Sequence, residues 1–157
     1  MKKIVLFIIF GSLLFSCSTS KTIIKSKKII KGDWILNNIS YSEIGTYKVT
    51  LLNDVSKECF EGSTWHFITN NYTGNYTINK ENCAIGNRYF RFAIQEIDKD
   101  TGLYDFMLKP TNEKYKSESN RGFRLKLSQL SDVSMQWQQS LNIDGKPFII
   151  NMNFSKK

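Results

Sequence analysis

Apolar and polar residues alternate in short segments over most of the chain, and no segment keeps the 3.6-residue period of a helix. Asn, Asp, Gly and Ser residues separate these segments, as is typical of turns between strands. The residues expected to point inward are, in chain order, Trp34 and Leu36; Tyr47, Val49 and Leu51; Trp65 and Phe67; Tyr76 and Ile78; Phe90, Phe92 and Ile94; Tyr104, Phe106 and Leu108; Phe123, Leu125 and Leu127; Met135, Trp137 and Leu141; and Phe148, Ile150, Met152 and Phe154. The pattern predicts an all-β domain of about nine strands, of which the second is the least regular.

The last two strands form the clearest hairpin of the sequence. Asp144-Gly145 is a residue pair that a two-residue type I′ turn prefers, and such a turn places Ile143 opposite Lys146. The further pairs are then Leu141 with Phe148, Gln139 with Ile150, Trp137 with Met152 and Met135 with Phe154. One face of this hairpin is apolar and the other is mostly polar, which predicts that one side packs on a core.

The connections between the strands carry their own predictions. Residues 54–60 are expected to form a short helix capped by Asp54, with Gly62 ending it. The residues expected to point inward have even numbers on both sides of residues 98–102, so the loop between these strands should contain an odd number of residues. Gly102, the last of them, is expected to adopt the left-handed conformation. The charged segment 113–120 is expected to be a long mobile loop.

The N-terminus has the layout of a secretory signal. A basic start, Met1-Lys2-Lys3, precedes an apolar run of twelve residues and a small residue, Ser16. A helix of that length rises about 18 Å, whereas the hydrocarbon core of a bilayer is about 30 Å thick. We therefore expect residues 1–16 to be a cleaved signal peptide rather than a membrane-spanning helix.

The segment Leu14-Phe15-Ser16-Cys17 resembles the lipobox of bacterial lipoproteins. This resemblance implies that Cys17 becomes the lipidated N-terminus of the mature protein, and two acyl chains suffice for stable anchoring in a membrane. By the same analogy, we expect the protein at the periplasmic face of the outer membrane. Residues 17–31 are then the lipidated Cys and a flexible tether, and residues 32–157 are the folded domain.

The charge of the chain is concentrated near its start. The formal net charge is +8, but seven of the 22 basic residues and no acidic residue precede residue 32. Residues 32–157 carry 15 basic and 14 acidic side chains and are nearly neutral, so they offer no evident basic stripe for phosphates and we expect no nucleic-acid partner. The lysines before residue 32 have two interpretations, a solvated linker or a contact with anionic headgroups.

Cys59 and Cys83 remain after the predicted lipidation of Cys17. Outside a reducing cytosol the two thiols are expected to form a disulfide, and a loop of about 25 residues gives a stabilisation of roughly 3 kcal/mol in the chain-entropy model. Two free thiols and a metal site are the alternatives. Zinc needs four ligands, and beyond the cysteines and His66 no recognised spacing completes such a set, so we expect no metal.

Gly32-Asp33-Trp34 at the start of the first strand resembles the Gly-x-Trp opening of lipocalins. Together with the lipobox and the number of strands, it makes residues 32–157 similar to the lipocalin-like domains of Bacteroidetes lipoproteins. The resemblance implies an antiparallel up-and-down β-barrel of about eight strands, which also removes exposed sheet edges. An open β-sandwich is the alternative fold.

No set of side chains predicts catalysis, and we expect neither an enzyme nor a cofactor. His66 alternates with Trp65 and Phe67 and should therefore point out of the core. Glu58 and Glu61 flank a cysteine in a surface segment, where nothing marks either for a raised pKa.

The barrel interior is the remaining candidate site. The resemblance implies a small hydrophobic ligand there, bound by residues expected to converge inside: Trp65, Phe67, Phe90, Phe92, Tyr104, Phe106, Phe123 and Trp137. An eight-stranded barrel is only just wide enough for its own side chains, so these aromatic residues could equally fill it. In that case the loops would contact an envelope protein, as an inhibitor or assembly partner.

Overall fold

The computed structural model describes residues 21–98, 101, 103–119 and 121–157. The predicted signal peptide, the lipid attachment at Cys17 and the left-handed Gly102 lie outside the described residues. Within the described ranges the chain forms two helices and ten strands. In chain order these are α1 (Lys21–Ile30), β1 (Gly32–Tyr41), β2 (Thr50–Leu51), β3 (Val55–Ser56), α2 (Lys57–Phe60), β4 (Thr64–Ile68), β5 (Thr73–Ile78), β6 (Gly86–Ile97), β7 (Tyr104–Thr111), β8 (Phe123–Leu130), β9 (Ser134–Ile143) and β10 (Lys146–Lys156).

Eight of these strands close into one antiparallel barrel. From β4 to β10 each strand pairs with the next along the chain, β10 pairs with β1, and β1 pairs with β4. This is an up-and-down meander that returns on itself, so every barrel strand has a neighbour on both sides. The predicted all-β closed barrel is confirmed, and the open β-sandwich is not what forms.

The last hairpin has the predicted register. Ile143 lies opposite Lys146, and the remaining predicted pairs follow without a shift as far as Met135 and Phe154. Asp144 and Gly145 have φ angles of 51° and 78°, the left-handed conformations that a type I′ turn requires. The turn chemistry therefore sets which side chains of β9 and β10 enter the barrel.

The core fills the barrel interior. Nearly all residues that the alternation places inside β1 and β4 to β10 are buried. Ile94, Phe123 and Leu141 are the partly exposed exceptions and lie near strand ends. The predicted inward faces of these eight strands are therefore correct.

The predicted second strand does not join the barrel. Of Tyr47, Val49 and Leu51, only Leu51 lies in a strand, the two-residue β2, which pairs with β3 alone. Leu51 and Leu52 are buried against the core, and Leu52 adopts a positive φ of 50° that ends the strand. The apolar residues here belong to a segment that covers one end of the barrel, so their spacing follows the shape of that end rather than a strand period.

The short helix is present, but its predicted cap is wrong. Helix α2 spans Lys57–Phe60, and Ser56 occupies the N-cap position. The Asp54 carboxylate accepts hydrogen bonds from Tyr76 and Arg88 instead, so it is not available to the helix. Gly62 lies just beyond the helix with φ of 90°, which agrees with its predicted role in the chain reversal.

The prediction of a flexible tether over residues 17–31 is wrong for residues 21–30. Residues 21–30 form helix α1, with Ser26 and Ile30 buried against the barrel. The Ile30 carbonyl accepts a hydrogen bond of 2.7 Å from Trp34 Nε1, which fixes the end of the helix to the first strand. The helix is stabilised by this packing. Because its buried face is narrow and partly polar, the sequence shows no clear 3.6-residue period of apolar residues here.

Two predicted loops have different outcomes. A bulge between Ile94 and Glu96 places one extra residue in β6, and Ile97 then pairs with Tyr104. The extra residue that was predicted for the loop therefore lies in the strand. In the segment 112–119 the Asn112 side chain accepts hydrogen bonds from the backbone of Lys114 and Lys116. The mobility of this segment stays a prediction.

The two ends of the barrel differ. At one end, called the α1 end below, α1 lies beside Tyr72, Thr101, Leu103 and the connection 131–133. At the other end, called the mouth, lie the long segment 42–63, the connections 79–85 and 144–145, and residues 112–119 and 121–122. The candidate site lies at the mouth.

Candidate functional site

The middle of the barrel is packed with aromatic rings. The Trp65 ring lies 4.4 Å from Tyr76, 5.3 Å from Trp137 and 5.6 Å from both Phe90 and Phe154, measured between ring centroids. Offset and edge-on contacts at such distances are the favourable arrangements for aromatic pairs. This part of the barrel is therefore a solid core.

The eight predicted ligand-binding residues converge inside the barrel, but they do not form one cavity. All of them except Phe123 are buried, with exposed fractions of 7% or less. Trp65, Phe67, Phe106 and Trp137 contact one another or neighbouring rings of the core. Phe90 and Phe123 border an accessible pocket at the mouth. Phe90 and Phe123 thus remain candidates for a ligand contact at the mouth, Phe92 borders a separate depression near β6 and β7, and the other five residues have a packing role.

The mouth pocket has a volume of about 300 Å³ and walls of two kinds. One wall is apolar and comes from β6, β7, β8 and the segment 42–63. Its residues are Leu52, Phe90, Leu108, Pro110 and Phe123. The other wall is polar and consists of Asn53, Asp54, Tyr76, Arg88, Tyr89, Thr111, Ser119 and Arg121. Such a cleft can take a small molecule with an apolar body and a polar end.

A cluster of polar side chains fixes the segment 42–63 across the mouth. The Asp54 Oδ2 atom accepts hydrogen bonds from Tyr76 Oη at 2.9 Å and from Arg88 Nε at 3.0 Å. Arg88 Nη2 also donates to the Ala84 carbonyl at 2.7 Å. Burial, and next the Asp54 charge, raise the pKa of Tyr76, so its hydroxyl stays protonated and donates to the carboxylate. The cluster is thus a structural clasp between the segment and the wall of the barrel.

The disulfide predicted for Cys59 and Cys83 is confirmed, and it lies at the same end. The two Sγ atoms are bonded, and the bond joins α2 to the connection between β5 and β6. Lys80 Nζ donates to the Glu58 carbonyl at 2.9 Å across the same junction. Two separate fastenings, the disulfide and the Asp54 cluster, therefore hold the cover of the mouth.

The rim of the pocket has an excess of positive charge. Among its lining residues, Asp54 supplies one negative charge, and Arg88 and Arg121 supply two positive charges. Arg88 is paired with Asp54, whereas the exposed Arg121 guanidinium makes no ion pair with any described residue. Thr111 Oγ1 is buried at the pocket and lacks a hydrogen-bond partner among the described residues. An anionic or hydrogen-bonding group of a ligand suits these two side chains.

A second depression, of about 700 Å³, lies on the outside of β6 and β7. Arg91 and Lys109 at its border are exposed and point away from the barrel interior. Its lining also includes the apolar side chains of Phe92, Ile94 and Met107.

The other side chains considered for chemistry lie apart from the mouth pocket. His66 points outward as predicted, and its Nδ1 atom is 2.6 Å from Asp33 Oδ1 on the outer surface. Glu61 Oε1 accepts a hydrogen bond from the Ile39 amide, and Glu58 is exposed. No group of three or more His, Cys, Asp or Glu side chains in the described ranges is placed to hold a metal ion. The described helices are too short or too polar to cross a membrane.

Sequence reasoning missed the polar half of the site. Arg88 has the same parity as Phe90 and Phe92 on β6, so alternation alone could have placed it on the inner face near the strand start. Asp54, Thr111 and Arg121 lie at or beyond strand ends, where the alternation of side chains does not predict which of them point toward the pocket. Their approach to Arg88 is visible only in the folded chain.

Comparison with known proteins agrees with this architecture. The sequence matches no protein-family model and none of the curated proteins. The fold is similar to the crystal structure of a lipocalin-like protein from Bacteroides uniformis, with a TM-score of 0.50 and 11% sequence identity. The alignment covers 82% of this chain and 99% of that chain. At this identity the likeness concerns the fold alone, and the chain folds as a closed, lipocalin-like eight-stranded β-barrel.

Proposed function

We propose that this protein is a lipid-anchored cell-envelope protein whose barrel mouth binds a small apolar ligand with an anionic end. The observation that carries the ligand proposal is the mouth pocket, which joins an apolar wall to a rim with one uncompensated guanidinium. The apolar part of the ligand lies against Phe90, Leu108 and Phe123. Its anionic end lies at Arg121, within reach of Thr111.

The size of the pocket limits the ligand. Ligand sites of small molecules range from about 300 to 1,000 Å³, and the volume of about 300 Å³ at the mouth is the lower end of that range. Because the rings around Trp65 fill the barrel below, the ligand enters only the upper part of the barrel. A compact aromatic molecule fits better than a long acyl chain.

Blocking the pocket should abolish binding of a suitable probe. Ser119 lines the pocket, whereas Ser117, in the same connection and also exposed, does not. We expect Ser119→Trp to weaken binding of N-phenyl-1-naphthylamine, followed by its fluorescence, at least tenfold because the indole occupies the apolar space. Ser117→Trp is the matched control and should bind like the parent. Equal binding by the two variants would contradict the site.

The anionic end of the ligand has its own test. Anilinonaphthalene sulfonate has the same aromatic body as the neutral probe and adds one sulfonate. We expect Arg121→Gln to weaken its binding about twofold to fivefold, the size of a partly solvated charge interaction, without affecting the neutral probe. An equal effect on both probes would show that Arg121 acts through packing rather than charge.

The anchoring proposal rests on the lipobox-like segment before Cys17. Replacing Cys17 by Ser should release the protein to the soluble fraction when the membranes are washed with 0.5 M salt, because the acyl chains supply the membrane affinity that salt does not screen. The measurement is fractionation of cells that express the parent or the variant. Retention of the variant on the membrane as firmly as the parent would contradict lipid anchoring.

The packed aromatic core supports a second candidate function, a protein-interaction or inhibitor module in the envelope. The two candidates differ in what accompanies the protein in its host. Native mass spectrometry of the purified protein should show a bound small molecule in the first case. A protein partner and an empty barrel would favour the second.

A further inference from the structure

Helix α1 presents a stripe of lysines to solvent at the α1 end of the barrel. Lys21, Ile24, Lys25 and Lys28 follow the i, i+3, i+4, i+7 spacing that aligns side chains along one face of a helix. All four are exposed, and Ile24, in the middle of the lysines, exposes 47% of its surface. We call these four residues the lysine stripe.

The opposite face of α1 is committed to the barrel. Ser26 and Ile30 are buried there, and Lys27 Nζ lies 4.1 Å from the centre of the Tyr72 ring. These contacts fix the rotation of the helix on the barrel end. The lysine stripe therefore lies on the side of the helix opposite Ser26 and Ile30, with Lys21 and Lys25 also bordering a cleft between the helix and the barrel end.

The stripe is strongly positive compared with the rest of the molecule. Helix α1 has no acidic residue, and residues 32–157 carry nearly balanced charge. Asp132 lies beside Lys21 and Lys25 in the cleft under the helix, and it offsets one charge at most. A partner with many closely spaced negative charges fits this surface, and the exposed Ile24 adds a contact for an apolar phase.

We infer that the lysine stripe docks on anionic phospholipid headgroups and sets the barrel upright on the membrane. The orientation rests on the proposed lipid at Cys17, since the chain from Cys17 to Lys21 spans at most about 14 Å and keeps α1 close to the bilayer. The lysines contact headgroup phosphates, and Ile24 lies at the level of the first acyl carbons. The mouth, at the opposite end of the barrel, then faces the aqueous phase and exchanges its ligand there.

Vesicle binding tests the stripe apart from the lipid anchor. The protein is the mature chain from residue 17 with Cys17→Ser, mixed with vesicles of phosphatidylcholine alone or with one third phosphatidylglycerol. We expect sedimentation with the anionic vesicles only, weakened by 0.5 M salt because the charges are screened. Lys21→Gln, Lys25→Gln and Lys28→Gln together should weaken binding tenfold or more.

The matched control removes three positive charges at the mouth end. Lys114, Lys116 and Lys146 are exposed there, and their joint replacement by Gln gives the same net charge as the stripe variant. We expect this variant to bind the anionic vesicles within twofold of the parent. An equal loss in both variants, or equal binding to neutral vesicles, would overturn the proposal. Circular dichroism of both variants excludes a folding defect.

Site-specific labels test the orientation. A polarity-sensitive fluorophore is attached to Ile24→Cys or to Lys146→Cys in the same Cys17→Ser chain, whose other two cysteines are bonded. Emission at position 24 should rise with anionic vesicles, whereas emission at position 146 should not change. A rise at position 146 of equal size would overturn the orientation. Probe binding at the mouth is measured separately in solution, so failure of the stripe and failure of the ligand site are distinguishable.

Discussion

Replacing Trp65 by alanine should lower the free energy of unfolding by about 4 kcal/mol, the largest effect that we expect from one substitution in this chain. Trp65 is fully buried and its ring contacts rings from β5, β6, β9 and β10, so its removal leaves a cavity that rigid strands cannot close. The indole Nε1 also donates to Ser63 Oγ at 2.9 Å, and the variant leaves that buried hydroxyl without the donor. Urea unfolding followed by circular dichroism measures the change.

Controls separate packing from hydrogen bonding in this prediction. Ser63→Ala removes the hydrogen-bond acceptor and should cost about 1 kcal/mol. Val133→Ala truncates a side chain that is 69% exposed, and it should change stability by less than about 0.5 kcal/mol. A cost for Trp65→Ala close to that of Val133→Ala would mean that the middle of the barrel is already hollow. The ligand would then have room below the mouth.

The alternating strands were predictable because the barrel imposes a strict two-residue period. Residues such as Phe90, Leu125 and Phe154 face a closed interior, so every second position is apolar over several strands. The Asp144-Gly145 turn added the register of β9 and β10, since a two-residue turn leaves one pairing. Fold class, inner faces and one hairpin thus follow from local rules.

The covers of the two barrel ends were not predictable from periodicity. Among the described side chains of helix α1, Ser26 and Ile30 are the deeply buried ones, and a face this small and partly polar does not stand out among lysines. The segment 42–63 follows the rim of the mouth, where successive residues meet different strands. At both ends the tertiary contacts decide the structure, and the sequence carries no repeating signal for them.

The α1 end also contains a contact between a cation and a buried ring. Trp34, from the Gly-x-Trp resemblance, is fully buried, and Lys156 Nζ lies 5.1 Å from the centre of its ring. Lys156 has the parity of Met152 and Phe154, and it supplies the cation and a hydrogen bond to the Ile29 carbonyl. Trp34 and Lys156 are paired across β1 and β10, so their contact depends on the closure of the barrel.

The polar rim of the pocket contains one residue that strand alternation could place and one that only the folded loops place. Arg88 lies on a regular strand, at an even-numbered position like the inward-pointing Phe90 and Phe92, so its inward direction could be inferred from the sequence. Its partner Asp54 is 34 positions away in the segment 42–63, and their contact of 3.0 Å depends on how that segment crosses the mouth. The apolar wall of a site in such a barrel can thus be inferred from strand parity, whereas the charge at its rim depends on the loops.

Removing the disulfide should lower the free energy of unfolding by about 3 kcal/mol. The bond between Cys59 and Cys83 closes a loop with a sequence separation of 24, and its loss enlarges the ensemble of the unfolded chain. We expect Cys59→Ala together with Cys83→Ala, in the Cys17→Ser chain, to shift the urea midpoint accordingly. Circular dichroism at room temperature should stay that of the β-barrel, because no barrel strand depends on the bond for its pairing.

The local consequence of losing the disulfide is expected at the mouth. The Asp54 cluster still fastens the segment 42–63 to Tyr76 and Arg88, so the pocket should persist but open more often. Hydrogen exchange should quicken in α2 and in the connection 79–85, while the β9 and β10 amides keep their protection under native conditions. Adding Asp54→Asn to the cysteine double variant removes the charge that both partners hold, and it should weaken binding of the neutral probe severalfold beyond the product of the two separate effects. Strict additivity of the two changes would show that the disulfide and the Asp54 cluster do not act on the same cover.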